Sequence, residues 1–287
     1  VFVAVVGLAI LAASKAFIDF STSGLENPLT HLLIVVFAVV FFQYQHSKRY
    51  ILWLSLLGSL MILNRMDTVL LFLPALVYAL LQVAQPRLKA LRTMFLAFLP
   101  FVAWELFSLF YYGFLFPNTA YAKLNTGIST GQLLKQGLAY LISSSSFDPL
   151  LFIIPVCAIL LTIAARDRKS IFLAMGMVLY LAYIVKVGGD FMDGRFLTPI
   201  LLMSVILLVY NIPSSAKTLW IIIFIAVIFL GFFVPNSRWY VINPGSTQYG
   251  ADTRGIVDEH TFYANETGLI NFRRDFKLSN FSSIQKG

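Results

Sequence analysis

Charge is scarce in this sequence. Only 12% of its 287 residues are Asp, Glu, Lys or Arg, against roughly 25% in an average soluble domain. So few charges cannot cover a soluble surface, and 59% of the chain is hydrophobic. Cysteine is scarcer still. Cys157 stands alone inside an apolar run, which excludes a disulfide framework and a thiol-based metal site. The three histidines, His31, His46 and His260, lie far apart, which argues against a His-based metal site. There is no internal repeat, no low-complexity tract and no Gly-rich phosphate loop. An initiator Met is also missing. Val1 lies in mid-hydrophobic run without the basic n-region of a signal peptide, and we expect a fragment whose true N-terminus lies upstream.

What the sequence does hold is a series of apolar runs. A membrane-spanning helix needs about 20 mostly apolar residues, within a range of roughly 17–25. Residues 1–17, 29–44, 51–63, 68–84, 93–116, 149–165, 171–187, 196–210 and 217–234 supply nine candidates. The fold class expected is therefore an all-α polytopic membrane protein with about nine transmembrane helices. The third run is short. With the fourth it predicts a hairpin whose tip, Asn64-Arg65-Met66-Asp67, stops below the far surface. Backbone at such depth is tolerated where it is buried in protein or lines a wet cavity.

The net charge of +8 is spread over short loops and not gathered on a soluble face, so nucleic acid is not an expected partner. One set of loops holds Lys48, Arg49, Arg87, Lys89, Arg92, Arg166, Arg168, Lys169 and Lys217 against a single acid, Asp167. The other set holds Arg65, Lys123, Lys135 and Arg195 with Asp19, Glu26, Asp67, Asp148, Asp190 and Asp193. By the positive-inside rule the first set is cytoplasmic, and nine spans alternate between the two sets without a slip. The expected address is the cytoplasmic (inner) membrane. Residues 1–234 then form the membrane region. Residues 235–287, polar and rich in Asn, Ser, Thr and Gly, start an extracytoplasmic segment too short to bury a good core alone.

Polar chemistry gathers on the outer side. The densest stretch is Lys186-Val187-Gly188-Gly189-Asp190-Phe191-Met192-Asp193-Gly194-Arg195-Phe196. Carboxylates can bind sugar hydroxyls, act as bases or hold a metal, whereas Arg suits bidentate phosphate binding. The plain reading is a tight turn with internally paired charges, but a short connection usually needs one turn residue and one charge. A second cluster runs from Tyr111 and Tyr112 through Pro117, Asn118, Thr119, Ala120 and Tyr121 to Lys123. Its tyrosines fit an interfacial belt, while Asn118 and Lys123 could bind phosphate or hydroxyl. A third, from Asp19 to Pro28, has two acids and no cation; its plain reading is a solvated loop with Asn27 capping a helix and Pro28 at the first helical position. The fourth is Arg65 with Asp67, a mutual ion pair in its plain reading. Charge near the membrane interior is a functional hypothesis by default. Glu105, midway along the fifth run, reads best as hydrogen-bonded to a neighbouring helix.

Taken together, Ser23-Gly24-Leu25-Glu26, Arg65-Met66-Asp67, Tyr111-Tyr112-Gly113, Pro117-Asn118-Thr119-Ala120-Tyr121-Ala122-Lys123 and Gly188-Gly189-Asp190-Phe191-Met192-Asp193-Gly194-Arg195-Phe196 resemble successive motifs of bacterial GT-C glycosyltransferases. The nearest likeness is to the terminal arabinofuranosyltransferases of mycobacterial cell-wall assembly, and Gly255-Ile256-Val257-Asp258-Glu259 is similar to part of their C-terminal region. The resemblance runs over about residues 20–265. It implies a polyprenyl-phosphate sugar as donor, a glycan acceptor, membrane lipid as the surroundings, and inverting transfer with the active site on the extracytoplasmic side. In the wider superfamily the base is an Asp in the first external loop, which the resemblance puts upstream of residue 1.

On this reading Asp190 and Glu26 are the catalytic candidates, acting on sugar or acceptor hydroxyls. Arg195, Lys123 and Arg65 are assigned to the donor phosphate. Asp67, Asp193, Tyr112, Asn118 and Asp19 are assigned to the sugar and acceptor pocket. The metal requirement stays open, since some relatives use a divalent ion. The arabinose is not carried across, because a chain rich in Ile, Phe, Ser and Asn points to a different genomic background. The alternative is a polytopic transporter or flippase. Transporters tend to hold substrate at the midplane within repeated halves, and Glu105 is the one feature that favours it.

Overall fold

A computed structural model of the chain describes residues 2–83, 85–116, 121, 127–233 and 255–259. Among them it is all-α. The helices are α1 (Phe2–Ala13), α2 (Lys15–Thr22), α3 (Asn27–Gln43), α4 (Tyr50–Asn64), α5 (Val69–Gln82), α6 (Arg87–Ala97), α7 (Leu99–Tyr112), α8 (Thr130–Phe147), α9 (Leu150–Ala165), α10 (Arg168–Lys186), α11 (Thr198–Asn211) and α12 (Lys217–Phe233). Short 3₁₀ turns at Met66–Thr68 and Arg195–Leu197 lead into α5 and α11.

The centre of the bundle is α11. Thr198, Pro199 and the run from Ile200 to Val205 are all buried, as expected of a helix apolar on every side. It packs against α9, α3, α1 and α10. Around it the closest pairs are α5 with α10, α3 with α4, α1 with α12, and α8 with α10. Phe37, Phe41 and Phe72 fill the space between α3 and α5. Two glycines set how near the helices come. A Cβ on Gly176 would meet the backbone of Leu71 in α5, and one on Gly137 would meet the backbone of Val185. Small residues at such contacts are the usual means of close helix approach in membranes.

Several predicted runs are broken. The first ends at Ala13, where Ser14 accepts a hydrogen bond from the Phe17 amide and caps α2, which leaves at 78° to α1. The fifth divides at Phe98, with α6 and α7 bent by 46°. Residues 130–147, expected to be loop, form α8, which turns 103° into α9. Among the described residues only α10 is by itself long and apolar enough to cross a membrane. The total rises to four if each of the three bent pairs is one span. Five further apolar helices are shorter, Asn27–Gln43, Tyr50–Asn64, Met66–Gln82, Arg195–Asn211 and Lys217–Gly231. Length and composition alone therefore support one to four crossings among the described residues, where the sequence led us to expect nine. The proposed external segment, 235–287, lies outside the described residues except for 255–259.

The packing gives a direct test. Gly176→Ala should lower the melting temperature in detergent, because the added methyl meets Leu71 backbone that cannot yield. Overpacking of this kind costs about 1–3 kcal/mol. Gly131→Ala, with open space around it, should leave the melting temperature in place.

Candidate active site

Three chain segments meet at one end of the bundle. The entry to α3 supplies Glu26. The tip between α4 and α5 supplies Arg65 and Asp67. The connection from α10 to α11 supplies Asp190 and Arg195. The segments are tied through backbone as well as through charge. Asn64 Nδ2 donates to the Glu26 carbonyl at 3.2 Å and to Thr30 Oγ1 at 2.7 Å. Asn27, expected to cap α3, instead sends Nδ2 to the Arg195 carbonyl at 3.4 Å and to Thr198 Oγ1 at 3.2 Å. Glu26 holds the capping position, without a side-chain cap.

The charged groups form one chain of alternating sign. Asp67 takes two hydrogen bonds from Arg65, at 3.0 Å from Nε and 2.5 Å from Nη2. Arg65 Nη1 donates to Glu26 Oε1 at 3.2 Å. The same oxygen accepts from Arg195 Nη2 at 2.7 Å, and Arg195 Nη1 reaches Asp190 at 3.2 Å. The Phe196 ring lies beside both guanidinium groups, 4.5 Å from Arg65 and 5.8 Å from Arg195. Cations on a ring face gain more when desolvated. The two arginines differ in what they have left. Arg65 also donates to Tyr180 at 3.1 Å, so its fork is largely consumed. Arg195 keeps a buried Nε without a hydrogen-bond partner among the described residues.

Burial alone would raise the Glu26 carboxyl. The hydrogen bond from Arg195, with the charges of Arg195 and Arg65, outweighs that and holds it below its ordinary value of 4.5. Glu26 is therefore ionised and a weak base, suited to orienting the two cations.

These residues line a cavity of about 750 Å³. Helix α7 lines it too, with Glu105, Ser108 and Tyr112 at helical spacing on one face. The rest of α7 is apolar and outward, with Phe110 93% exposed and no residue of the helix buried. The hydrogen bond expected from Glu105 to a neighbouring helix is not made among the described residues, and its Oε1 is buried without a partner there. Only two cavity-lining residues carry such an atom, Glu105 and Arg195. One is an acceptor and the other a donor.

Not every sequence candidate reaches this cavity. Asp19 does not stand in a loop without a cation. Lys15, one turn back on α2, pairs with it at 2.6 Å. Lys15 was hidden in the first apolar run, and the break at Ser14 turns it inward, where it is 4% exposed. Asp193 turns away to α8, accepting from Ser143 at 2.8 Å and Ser144 at 2.6 Å. Burial pushes its carboxyl up, while those serine hydroxyls act in the opposite direction. Asp19 and Asp193 thus belong to a neighbouring structural cluster. Tyr112 lies at the cavity rim, 57% exposed. Asn118 and Lys123 lie outside the described residues.

The sequence reading missed α8 and its polar face, Tyr140, Ser143 and Ser144. The signals were present: Ser129 and Gln132 form a capping box, and the buried residues Gly137, Tyr140, Ser144 and Phe147 repeat at helical spacing. Among the described residues, no three His, Cys, Asp or Glu side chains are arranged to hold a metal ion. Glu26, Asp67 and Asp190 bond to guanidinium groups.

Over 298 aligned positions the chain is 28% identical to the terminal beta-(1->2)-arabinofuranosyltransferase of Mycobacterium tuberculosis, covering 87% of this chain and 46% of that relative. The chain resembles the mycobacterial terminal arabinofuranosyltransferases. It spans about half the length of the curated relative it matches. No protein-family model matches the chain, and no solved structure matches it.

The shared carboxylate predicts a pH signature. A carboxyl held below its unfolded value stabilises the fold above that value, near 4.5. The contribution is lost as pH falls through the lower, folded value. Thermal melts should therefore show wild type losing stability below about pH 4.5. Glu26→Gln should be less stable at neutral pH by about 2 kcal/mol, short of the 3–5 kcal/mol of a fully buried pair because Glu26 keeps 22% exposure. The variant should lack the acid-side loss traceable to this group.

Proposed function

We propose that the chain is a membrane glycosyltransferase, moving a sugar from a polyprenyl-phosphate donor to a glycan or other acceptor on the outer face of the cytoplasmic membrane. The observation that carries this reading is a pair of buried atoms without a hydrogen-bond partner among the described residues, Arg195 Nε and Glu105 Oε1, on two residues that line one cavity. A ligand that satisfies both must accept a hydrogen bond at one end and donate one at the other. A glycosyl phosphate does so, with phosphate oxygens toward Arg195 and a hydroxyl toward Glu105. The likeness to an arabinofuranosyltransferase supports the same chemistry. The reading includes nine membrane crossings, with shorter helices completed by their bent or loop extensions, and the arginine–carboxylate chain at the outer leaflet.

In an inverting displacement the acceptor oxygen bonds to the anomeric carbon as the bond from that carbon to the phosphate oxygen breaks. The acceptor proton passes to a carboxylate, and the lipid leaves as its monophosphate. Arg195 would stabilise the charge that develops on the departing phosphate, the place where fixed donors contribute most. Asp190 orients Arg195 and faces the sugar. Glu26 and Arg65 hold the geometry. The described wall carries three carboxylates, Glu26, Asp67 and Asp190, against two guanidinium groups, so an anion there calls for a further cation. Lys123 is our candidate.

In the intact protein, Arg195→Ala should reduce transfer from a polyprenyl-phosphate sugar by about a hundredfold or more, the scale for removing one charge-stabilising donor. Asp190→Asn should reduce it as well. Wild-type activity in both variants removes this site assignment. A transporter is distinguished by uptake: substrate accumulation in proteoliposomes that is lost in Glu105→Gln, without any transfer product, selects that reading.

A further inference from the structure

Residues 255–259 follow the last membrane helix in sequence, yet they lie against the loop that carries Asp190 and Arg195. The Val257 N–H donates to the Phe191 carbonyl at 2.7 Å, and the Val257 carbonyl accepts from the Asp193 N–H at 3.0 Å. Together they make a parallel bridge between Val257 and Met192. Ile256 is 4% exposed and joins the core. The next residue, Asp258, reaches Lys15 Nζ at 3.1 Å. Lys15 is itself fixed, by Asp19 and by the Phe147 ring 4.3 Å away.

The loop needs such restraint. Gly188, Gly189 and Gly194 all have positive φ, and glycine supplies that freedom at the expense of stiffness. From one side α8 holds it: Tyr140 Oη donates to the Met192 carbonyl at 3.3 Å and accepts from the Phe196 N–H at 3.2 Å, while Ser144 accepts from the Gly194 N–H at 3.1 Å. The backbone between Asp190 and Gly194 has its second restraint in residues 255–259.

We propose that residues 255–259 are a strap that fixes the loop from Asp190 to Arg195 against the bundle, with Asp258 as its positioning residue through Lys15. Asp258 touches neither the cavity nor any reacting atom. It acts by holding Val257 in register with Phe191 and Asp193, and so by aiming Arg195 and Asp190 at the cavity. The strap's last residue supports this placement. The Glu259 carboxyl is pushed up by burial, with the charge of Arg195 opposing and that of Asp190 adding to the shift, so the strap ends within the field of the site. The consequence for transfer rests on the function proposed above; the docking of the strap does not.

The test is hydrogen exchange on the full chain in lipid nanodiscs, with transfer measured on the same preparations. Asp258→Asn should speed exchange of residues 189–196 by about tenfold, the scale of a lost charge-assisted hydrogen bond. Exchange in α3 and α10 should not change. Asp258→Glu, which keeps the charge, should restore slow exchange. Val257→Pro, which removes the N–H bonded to Phe191, should act like Asp258→Asn. The transfer rate should fall by a similar factor in kcat, with KM for the donor little changed. Unaltered exchange in Asp258→Asn overturns the strap, and so does an increase spread over the whole bundle. Local loosening with wild-type transfer rates overturns the positioning role. Wild-type protein that transfers no sugar sinks the proposed reaction, and local loosening alone would then still support the strap.

Discussion

One end of this bundle is organised around one carboxylate oxygen shared by two arginines. Glu26 Oε1 meets Arg65 at 3.2 Å and Arg195 at 2.7 Å, and each arginine carries a further acid. Five charges from three distant parts of the chain are thereby made mutually dependent. Removing any one leaves a partly buried partner without compensation, which costs more than the pair contributes. The arrangement is costly to build next to lipid, and side chains that only stabilise the fold would be cheaper if apolar. Such charge inside a membrane protein is retained for what it does.

The rest of the fold keeps these groups in place without closing over them. Below the site the helices pack to backbone contact at Gly137 and Gly176, and α11 is buried along most of its length. On the remaining side α7 stands off, contacting mainly α4 and α6 and burying none of its residues. The cavity lies between the tight part and the loose part. Its inner wall is fixed by salt bridges, and its outer wall is a helix held by little packing. Elements of low local packing are those that move most readily, and α7 is the wall with the least packing to hold it.

Much of this was legible in the sequence, and the failures have a common cause. Arg65 and Asp67 at a hairpin tip, and the Gly-rich stretch around Asp190 and Arg195, stand out because charge and glycine interrupt apolar runs. What the hydropathy pattern could not reveal was direction. Lys15 was absorbed into the first run because the apolar residues around it, Leu11 to Ala13 and Ala16 to Ile18, outweigh one cation; the Ser14 cap, which turns α2 by 78°, is a local signal that hydropathy ignores. Asp193 sits two residues from Arg195 but bonds to a different part of the protein, since Gly194 between them turns the backbone at positive φ. Sequence proximity placed it in the pocket, and backbone geometry assigned it to Ser143 and Ser144. Helix α8 was lost for a different reason. Its serines make it too polar to read as a span, although its buried stripe is as regular as any in the protein.

The division between satisfied and unsatisfied charge carries the functional argument furthest. Arg65 has spent most of its hydrogen-bonding capacity on Asp67, Glu26 and Tyr180, and a ligand could engage it only by breaking bonds already made. Arg195 and Glu105 have capacity left, and both line the same cavity. A purely anionic ligand would satisfy Arg195 and be repelled by Glu105. A purely hydroxylated one would satisfy Glu105 and leave the guanidinium Nε buried and unpaired, the more expensive of the two omissions. On the proposed reading the ligand is a molecule that combines the two chemistries. A sugar joined to a phosphate has that form, and the apolar, outward surface of α7 beside it suits a phosphate that continues into a lipid.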